Sequence, residues 1–247
     1  MGHAMQSGSK VIKKAIFAVF SKVMTKAMIH SFDNAHNLGF SCVWFHHVDN
    51  VQTIAKYPNF VKYVGFVSKS NYIEGFMHHQ CMQLSEEAIF VIGAHDEIFT
   101  SPLLETIIQS CSREDLTSTS VAIDRIWVKR IGKTWKYSRI ASSSGTDFQY
   151  RVFVPKLNKK FEKLHSPGFK IKKRVFRIEG SPIIHLDWEV HSVSERREKI
   201  FKYAQIDSRQ GISKLKYYFP ECYLEQELNW QQVKFLEEQE LVRWEST

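Results

Sequence analysis

Cysteine is scarce in this chain, and nothing in its placement carries chemistry. Cys42, Cys81, Cys111 and Cys222 are widely scattered, with no CxxC and no Cys/His pair at zinc spacing. They read as reduced, mostly buried thiols, as expected in the cytosol. No apolar run reaches a membrane-spanning length, because Lys10, Lys13, Lys14 and Lys22 interrupt the one stretch near the start that approaches it. That stretch also lacks a small-residue cleavage site, which argues against a signal peptide. Met1 to Ser9 is small and polar, reads as disordered or left by cloning, and is set apart from the fold. Neither GxGxxG nor GxxxxGK[ST] occurs, so the dinucleotide-binding and P-loop readings lose their usual anchors. No clean linker, repeat or low-complexity segment divides the chain.

What remains is ordinary globular material. The 247 residues are 43% hydrophobic and 24% charged, enough for one large α/β domain with a sizeable core. The formal net charge of +8 calls for an anionic partner: a nucleotide, a nucleic acid or a membrane surface.

Strand and helix signals alternate through the first hundred residues. Ala15 to Phe20 reads as a buried strand. Thr25 caps a helix carrying Met28, Ile29, Phe32 and Ala35, with Gly39 just past its end. Phe40 to His46 is a second strand, followed by a His47–Asn50 loop and a short helix through Ile54. Val61 to Val67 is a third strand, and Asn71 opens a helix through Phe76, Gln80 and Leu84. Ala88 to Phe99 is then almost wholly apolar until it meets Asp96 and Glu97, the pattern of a strand buried on both faces. The alternation calls for a parallel sheet with right-handed crossovers, a Rossmann-like half. Pro102 sits in the first turn of the next helix. The second half is mixed α+β: strands at Val121–Lys129, Trp135–Ile140 and Phe148–Val154, and a flexible loop at Ser142–Gly145. Ser192 to Glu195 offers a capping box for a helix through Ile200 and Tyr203. The tail from Glu221 to Trp244 reads as one long amphipathic helix that covers the domain or makes a homodimer contact.

Three features invite chemistry. In an open α/β sheet, ligands bind beyond the carboxyl ends of the strands, where Asp96 and Glu97 lie. Their oxygens suit a divalent cation and, through it, phosphate; solvated loop acids or first-turn acids of the next helix fit equally well. Lys156 to Arg177 is densely basic, with Phe161, Phe169 and Phe176 interleaved. A solvated hairpin, phosphate contact, docking on anionic lipid and single-strand nucleic-acid binding all fit such a run, but no RNA or DNA motif is spelled out. In Ile183-Ile184-His185-Leu186-Asp187-Trp188, alternation puts His185 and Asp187 on one face of an extended segment. A metal site, acid/base chemistry or a satisfied core histidine are the readings there.

The order of these pieces resembles the family 2 glycosyltransferases of GT-A fold, over roughly residues 12 to 221. The pieces are the His47-Val48-Asp49-Asn50 loop and the strand ending in His95-Asp96-Glu97-Ile98-Phe99. After a basic, Trp-bearing middle come His185-x-x-Trp188, the Arg196-x-x-Lys199 helix and Tyr218-Phe219-Pro220-Glu221. The resemblance implies a mostly parallel central sheet flanked by helices. A nucleotide-binding half would run from about 12 to 112 and an acceptor lobe from about 113 to 221, within one domain spanning 10–221. A C-terminal amphipathic helix at 222–247 would follow. It implies that Asp96 binds Mn²⁺ or Mg²⁺ bridging the nucleotide's diphosphate and that Glu97 is structural. Asp49 would contact base or ribose, and His185 would complete the metal site. The family's first aspartate is Ala94 here, which brings His95 forward as an assisting nucleotide-site residue. The implied activity is transfer of a sugar from a nucleotide-diphosphate sugar to a hydroxyl of a glycan or glycoconjugate acceptor, with inversion. Asp187 is the first candidate for the base and Asp147 the second. Two other readings remain: a non-catalytic module of the same fold, and a basic polyanion binder working through Lys156 to Arg177. That basic run is also where a cytoplasmic protein would touch the inner face of an anionic membrane.

Overall fold

The computed structural model describes residues 14–48, 56–67, 74–138, 147–161, 166–206, 218–220 and 230–246. Strand β1 (Ala15–Ser21) lies between β2 (Ser41–His47) and β4 (Ile89–Gly93), and β3 (Val61–Phe66) pairs outside β2; all three pairings are parallel. The order β3-β2-β1-β4 is the Rossmann-like arrangement expected from the alternation of elements. Helices α1 (Lys26–Asn37), α2 (Glu74–Leu84) and α3 (Ser101–Arg113) accompany these strands. The protein is thus an α/β fold on a central, mostly parallel sheet flanked by helices.

Strand burial follows from composition. On β1, Phe17 and Val19 meet Met28 and Phe32 of α1 and Leu103, Leu104 and Ile107 of α3. Ile16, Ala18 and Phe20 face the other way, toward a cluster holding Cys81 of α2 and Phe169. Alternate side chains of one strand therefore feed two cores, and no polar face is left for water. Phe17 packs edge-on against Phe32 and Phe99, with ring centroids 5.7 and 5.1 Å away. Each fully buried phenylalanine of this kind stabilises the fold by about 1.5–3 kcal/mol. Thr25 caps α1 by accepting from the Met28 N–H at 3.2 Å, and Gly39 takes φ +82° just beyond the helix end. Thr100 caps α3, with Pro102 in its first turn. Cys42, Cys81 and Cys111 are buried free thiols.

The second half extends the same sheet instead of forming a separate layer. Strand β8 (Phe148–Phe153) pairs antiparallel with β4 and with β6 (Thr119–Ile131), and β6 pairs antiparallel with β7 (Thr134–Ser138). The long β9 (Arg174–His185) runs parallel to β6, then meets the two-residue β5 (Glu97–Ile98) antiparallel. After β9 come α4 (Asp187–Val190) and α5 (Val193–Ile206). The Ser192 capping box forms reciprocally: Glu195 Oε2 accepts the Ser192 N–H at 2.7 Å, and Ser192 Oγ accepts the Glu195 N–H at 3.3 Å.

Two expectations change. Extended structure ends at His185, so Asp187 opens a helix and does not share a strand face with it. The tail is not one helix: Gln231–Gln232 forms β10 on the edge of β7, and helix α6 is only Phe235–Ser246. Val233 follows this pairing: its side chain is buried with Trp135 and Tyr137, and its N–H donates to the Trp135 carbonyl at 3.3 Å. Helix α6 then closes over α1, with Leu241 fully buried and Glu240 bound to His30 and Asn34 at 2.8 and 3.0 Å, while Leu236 is exposed. In the basic run, Phe169 is core, Phe176 packs against the core, and Phe161 is exposed. Lys156 pairs with Glu87 and Arg174 with Glu114. No described helix is long and apolar enough to cross a membrane. Asp49, the short helix through Ile54, Asn71 and the Ser142–Gly145 loop lie outside the described residues.

Candidate active site

Strand order changes direction at β1 and β4: the chain runs outward through β2 and β3, then returns to β1's other side. The crevice beyond the carboxyl ends of such a pair is where open α/β sheets take ligands. Gly93 ends β4 because a side chain there would collide: a Cβ would stand 3.0 Å from the Phe17 ring and 3.3 Å from Val19. The chain then turns through Ala94, His95 and Asp96. Thr25, besides capping α1, donates its hydroxyl to the His95 carbonyl and so ties this turn to the first helix. Register does the rest. Glu97 stands opposite His185 in the β5–β9 pair, and the Leu186 N–H donates to the Asp96 carbonyl at 2.8 Å.

Asp96 is almost fully buried. Its Oδ2 lies 3.4 Å from His185 Nε2, 3.5 Å from Lys199 Nζ and 4.0 Å from His191 Nδ1. None of these is aligned to donate to it, so that oxygen has no hydrogen-bond partner among the described residues. Asp187, at the first turn of α4, is fully buried; its Oδ1 accepts from Lys199 at 2.8 Å and from His191 Nδ1 at 3.1 Å. The second oxygen, Oδ2, is unpartnered among the described residues. His95 and His191 bring their Nε2 atoms to 3.3 Å from each other. Lys199 also stands over the Tyr218 ring at 5.1 Å. Two carboxylates thus share one ammonium, with the His191 imidazole as the further partner of Asp187, and one oxygen of each carboxylate has no hydrogen-bond partner among the described residues. A buried charged oxygen left without a partner is costly, and a further cation at this point would relieve it.

Charge sets the titration of the cluster. Burial alone would raise the Asp96 carboxyl, but His95, Lys199 and His185 outweigh it and hold the group well below the usual range. Burial works against the Lys199 ammonium too, yet Asp96 and Asp187 keep it well above its ordinary value. The hydrogen bond to Asp187 raises His191, while burial lowers His95.

Next to this cluster stands a second, closed one. Glu97 accepts from Arg151 at 2.6 Å, from Arg125 at 3.2 Å and from the Ala94 N–H at 3.1 Å. Asp147 Oδ2 accepts from Arg125 at 2.7 Å and from the Trp127 indole at 2.9 Å, and its Oδ1 accepts from Gln149 at 2.7 Å. Burial would raise Asp147, and Arg125 more than reverses it. The Trp127 ring also backs His185, whose ring meets it edge-on at 4.1 Å.

The structure therefore brings Asp96, His95, His185 and Asp187 together and sets Asp147 one layer away, inside the arginine network. His191 and Lys199 belong to the cluster although the sequence reading did not mark them as site residues. A helical reading had a signal for His191, since Asp187 and His191 are four residues apart and share a face across α4. Lys199 had none beyond its place in a family pattern. Arg196, buried one turn earlier, donates to the Trp188 and His191 carbonyls at 3.2 and 3.1 Å and fixes α4 against α5. Two overlapping sets of donors could hold a metal ion: His95, Asp96 and His191, and Asp96, His185 and Asp187, with ligand atoms in each set within 4.8 Å of one another. A cavity of about 300 Å³ lined by Asp124, Phe148, Glu179 and Lys234 lies elsewhere. Side-chain chemistry, not concavity, marks the Asp96 cluster.

No protein-family model matches the chain, and no curated protein sequence matches it. Among solved structures, residues 1–349 of Staphylococcus aureus TarS are similar at 10% identity and a TM-score of 0.43, covering 92% of this chain and 78% of that one. A putative glucose-1-phosphate thymidylyltransferase from Bacillus anthracis, in complex with a sucrose, is similar at 9% identity and a TM-score of 0.35, covering 95% and 96%. Likeness at these scores carries no functional weight, and the site stands on its own geometry.

Proposed function

We propose that the protein is a glycosyltransferase of GT-A type, moving a sugar from a nucleotide-diphosphate sugar to an acceptor hydroxyl in polysaccharide or glycoconjugate synthesis. One observation carries the reading: a buried cluster of carboxylates and imidazoles around Asp96 sits at the switch point of a Rossmann-like sheet. Asp96 is assigned to the cation that faces the diphosphate, and Asp49 to base or ribose. Bound there, a divalent cation would neutralise the leaving diphosphate; His95, Asp96, His185 and His191 are donors that suit it. The reaction breaks the bond between the anomeric carbon and the diphosphate oxygen. The acceptor oxygen bonds to that carbon from the opposite side, and its proton passes to a carboxylate. Asp187 is favoured over Asp147 for that proton, because Asp187 Oδ2 has no hydrogen-bond partner among the described residues while both Asp147 oxygens are engaged.

A thermal-shift screen of nucleoside diphosphates and nucleotide sugars, with and without divalent cation, tests the reading. Stabilisation by a nucleoside diphosphate that disappears in Asp96→Ala is the expected result. The absence of any shift with every nucleotide would sink it. A second reading, a non-catalytic module of the same fold, is favoured by Ala94, whose position offers a backbone N–H to Glu97 in place of a carboxylate. Nucleotide binding without turnover or hydrolysis of any nucleotide sugar would select it.

A further inference from the structure

We infer that the site is a nitrogen-rich metal centre in which His95 Nε2, His191 Nε2 and Asp96 bind a transition-metal dication (zinc, cobalt or manganese) in preference to magnesium. The inference deepens the proposed function, naming the ligands and the class of ion, and rests on that reading only for what the ion would do.

Four observations converge on this set of donors. Two nitrogens bound to one metal at ~2.1 Å, with ordinary tetrahedral or octahedral angles, stand about 3.0–3.4 Å apart; His95 Nε2 and His191 Nε2 stand 3.3 Å apart. The His191 tautomer is set by its partner. A carboxylate oxygen can only accept, so Nδ1–H donates to Asp187 Oδ1 at 3.1 Å and the Nε2 lone pair is left for a metal. Metal-binding histidines have this carboxylate behind them as a rule. His185 does not: its Nδ1 has no hydrogen-bond partner among the described residues, which makes it the poorer ligand. Third, Asp96 Oδ2 is buried and has no hydrogen-bond partner among the described residues, and one ligand atom each from His95, Asp96 and His191 lie within 4.8 Å of one another. Fourth, the alternative set depends on Asp187, whose Oδ1 already accepts from Lys199 at 2.8 Å. Lys199 is hydrogen-bonded to Asp187 at 2.8 Å and stands 3.5 Å from Asp96 Oδ2, so Asp96 keeps an oxygen for an ion and the two imidazoles supply the selectivity.

The preference for a transition metal follows from the donors. Magnesium takes oxygen ligands and keeps its waters, whereas imidazole suits zinc and its first-row neighbours. Ala94 stands where a second carboxylate would favour magnesium. His95 and His191 are partly exposed, so an ion can enter and keep positions open for water or diphosphate oxygens.

The test uses the full chain, stripped with chelator and dialysed separately against zinc, cobalt, manganese and magnesium without nucleotide. Bound metal is then counted by mass spectrometry, and cobalt d–d absorption is recorded. About one transition-metal ion per chain is expected, with magnesium left behind. His95→Gln and His191→Gln should lose the ion and the cobalt band while keeping the wild-type circular dichroism, with a lower apo melting temperature expected only for His191→Gln, which removes a donor to buried Asp187. Asp187→Asn should weaken binding roughly 10–100-fold without removing the site. No stoichiometric transition metal, equal retention of magnesium, or loss of the ion in His185→Gln but not in His191→Gln would each overturn the inference. A proton shared between the two imidazoles is the remaining explanation of their closeness, and failure to bind any metal would select it. Metal binding without nucleotide binding would sink the proposed function and leave the metal centre standing. Nucleotide binding without metal would do the reverse.

Discussion

Replacing Glu97 by alanine removes the hub of the closed ion cluster next to Asp96. The Glu97 side chain is fully buried, whereas its partners Arg125 and Arg151 are 14% and 16% exposed. Deleting one member of a buried ion pair costs about 3–5 kcal/mol, because the opposite charge stays behind without compensation. Two corrections bear on the figure. Arg125 keeps Asp147 at 2.7 Å, and both guanidinium groups have some access to water, which moves the value down. The Ala94 N–H loses its acceptor, an added cost of about 1–3 kcal/mol if it stays dry. A net loss of about 3 kcal/mol is expected, and for a chain of this size that lowers the melting temperature by roughly 6–12 °C. Urea and thermal unfolding followed by circular dichroism measure it, with Glu97→Gln falling between alanine and wild type because it keeps an oxygen for the Ala94 N–H. If Glu97→Ala unfolds within about 1 kcal/mol of wild type, the cluster does not hold this turn and the reasoning fails.

Two further outcomes are expected. Gly93→Ala places a methyl 3.0 Å from the Phe17 ring and should cost about 1–3 kcal/mol by overpacking, measured by chemical denaturation; an unchanged midpoint would show that the ring yields freely. Glu240 ties α6 to α1. Burial would raise its carboxyl, but the hydrogen bonds from His30 and Asn34 hold it below its ordinary value of 4.5. A depressed carboxyl stabilises the fold above the unfolded value, and that contribution is lost as pH falls through the folded one. The stability gap between wild type and Glu240→Gln should therefore close as pH drops below about 4.5, and a gap independent of pH would refute the linkage.

Much of this architecture is carried by local pattern. Runs such as Ala15–Phe20 and Ile89–Gly93 are apolar on both sides of a pleat. Only a sheet covered on both faces can bury them, and the intervening helical spacings force the parallel order. Caps are equally local: Thr25, Pro102 and the Ser192–Glu195 pair act within a turn of their own helix. Asp96 was legible as a candidate because an acid just past a buried strand lies at the carboxyl end of the sheet.

Contacts made across the chain were not legible. The Val233 side chain has a pocket only because Trp135 and Tyr137 stand about a hundred residues earlier, and the start of an amphipathic tail pairs there as a strand. Asp147, the second candidate for the base, is laid by the sheet against Arg125 and Trp127, partners that lie about twenty residues away in the chain. His185 and Asp187 do lie near one another, yet through a strand-to-helix junction and not through strand alternation. The sequence by itself determined the elements of the Rossmann-like half and the acid at the tip of β4, because burial and capping are decided within a few residues. Only the tertiary structure decided that His191 and Lys199 join His95 around that acid. Their approach depends on the β5–β9 register and on Arg196 locking α4 to α5, and neither is written in any local stretch of the chain.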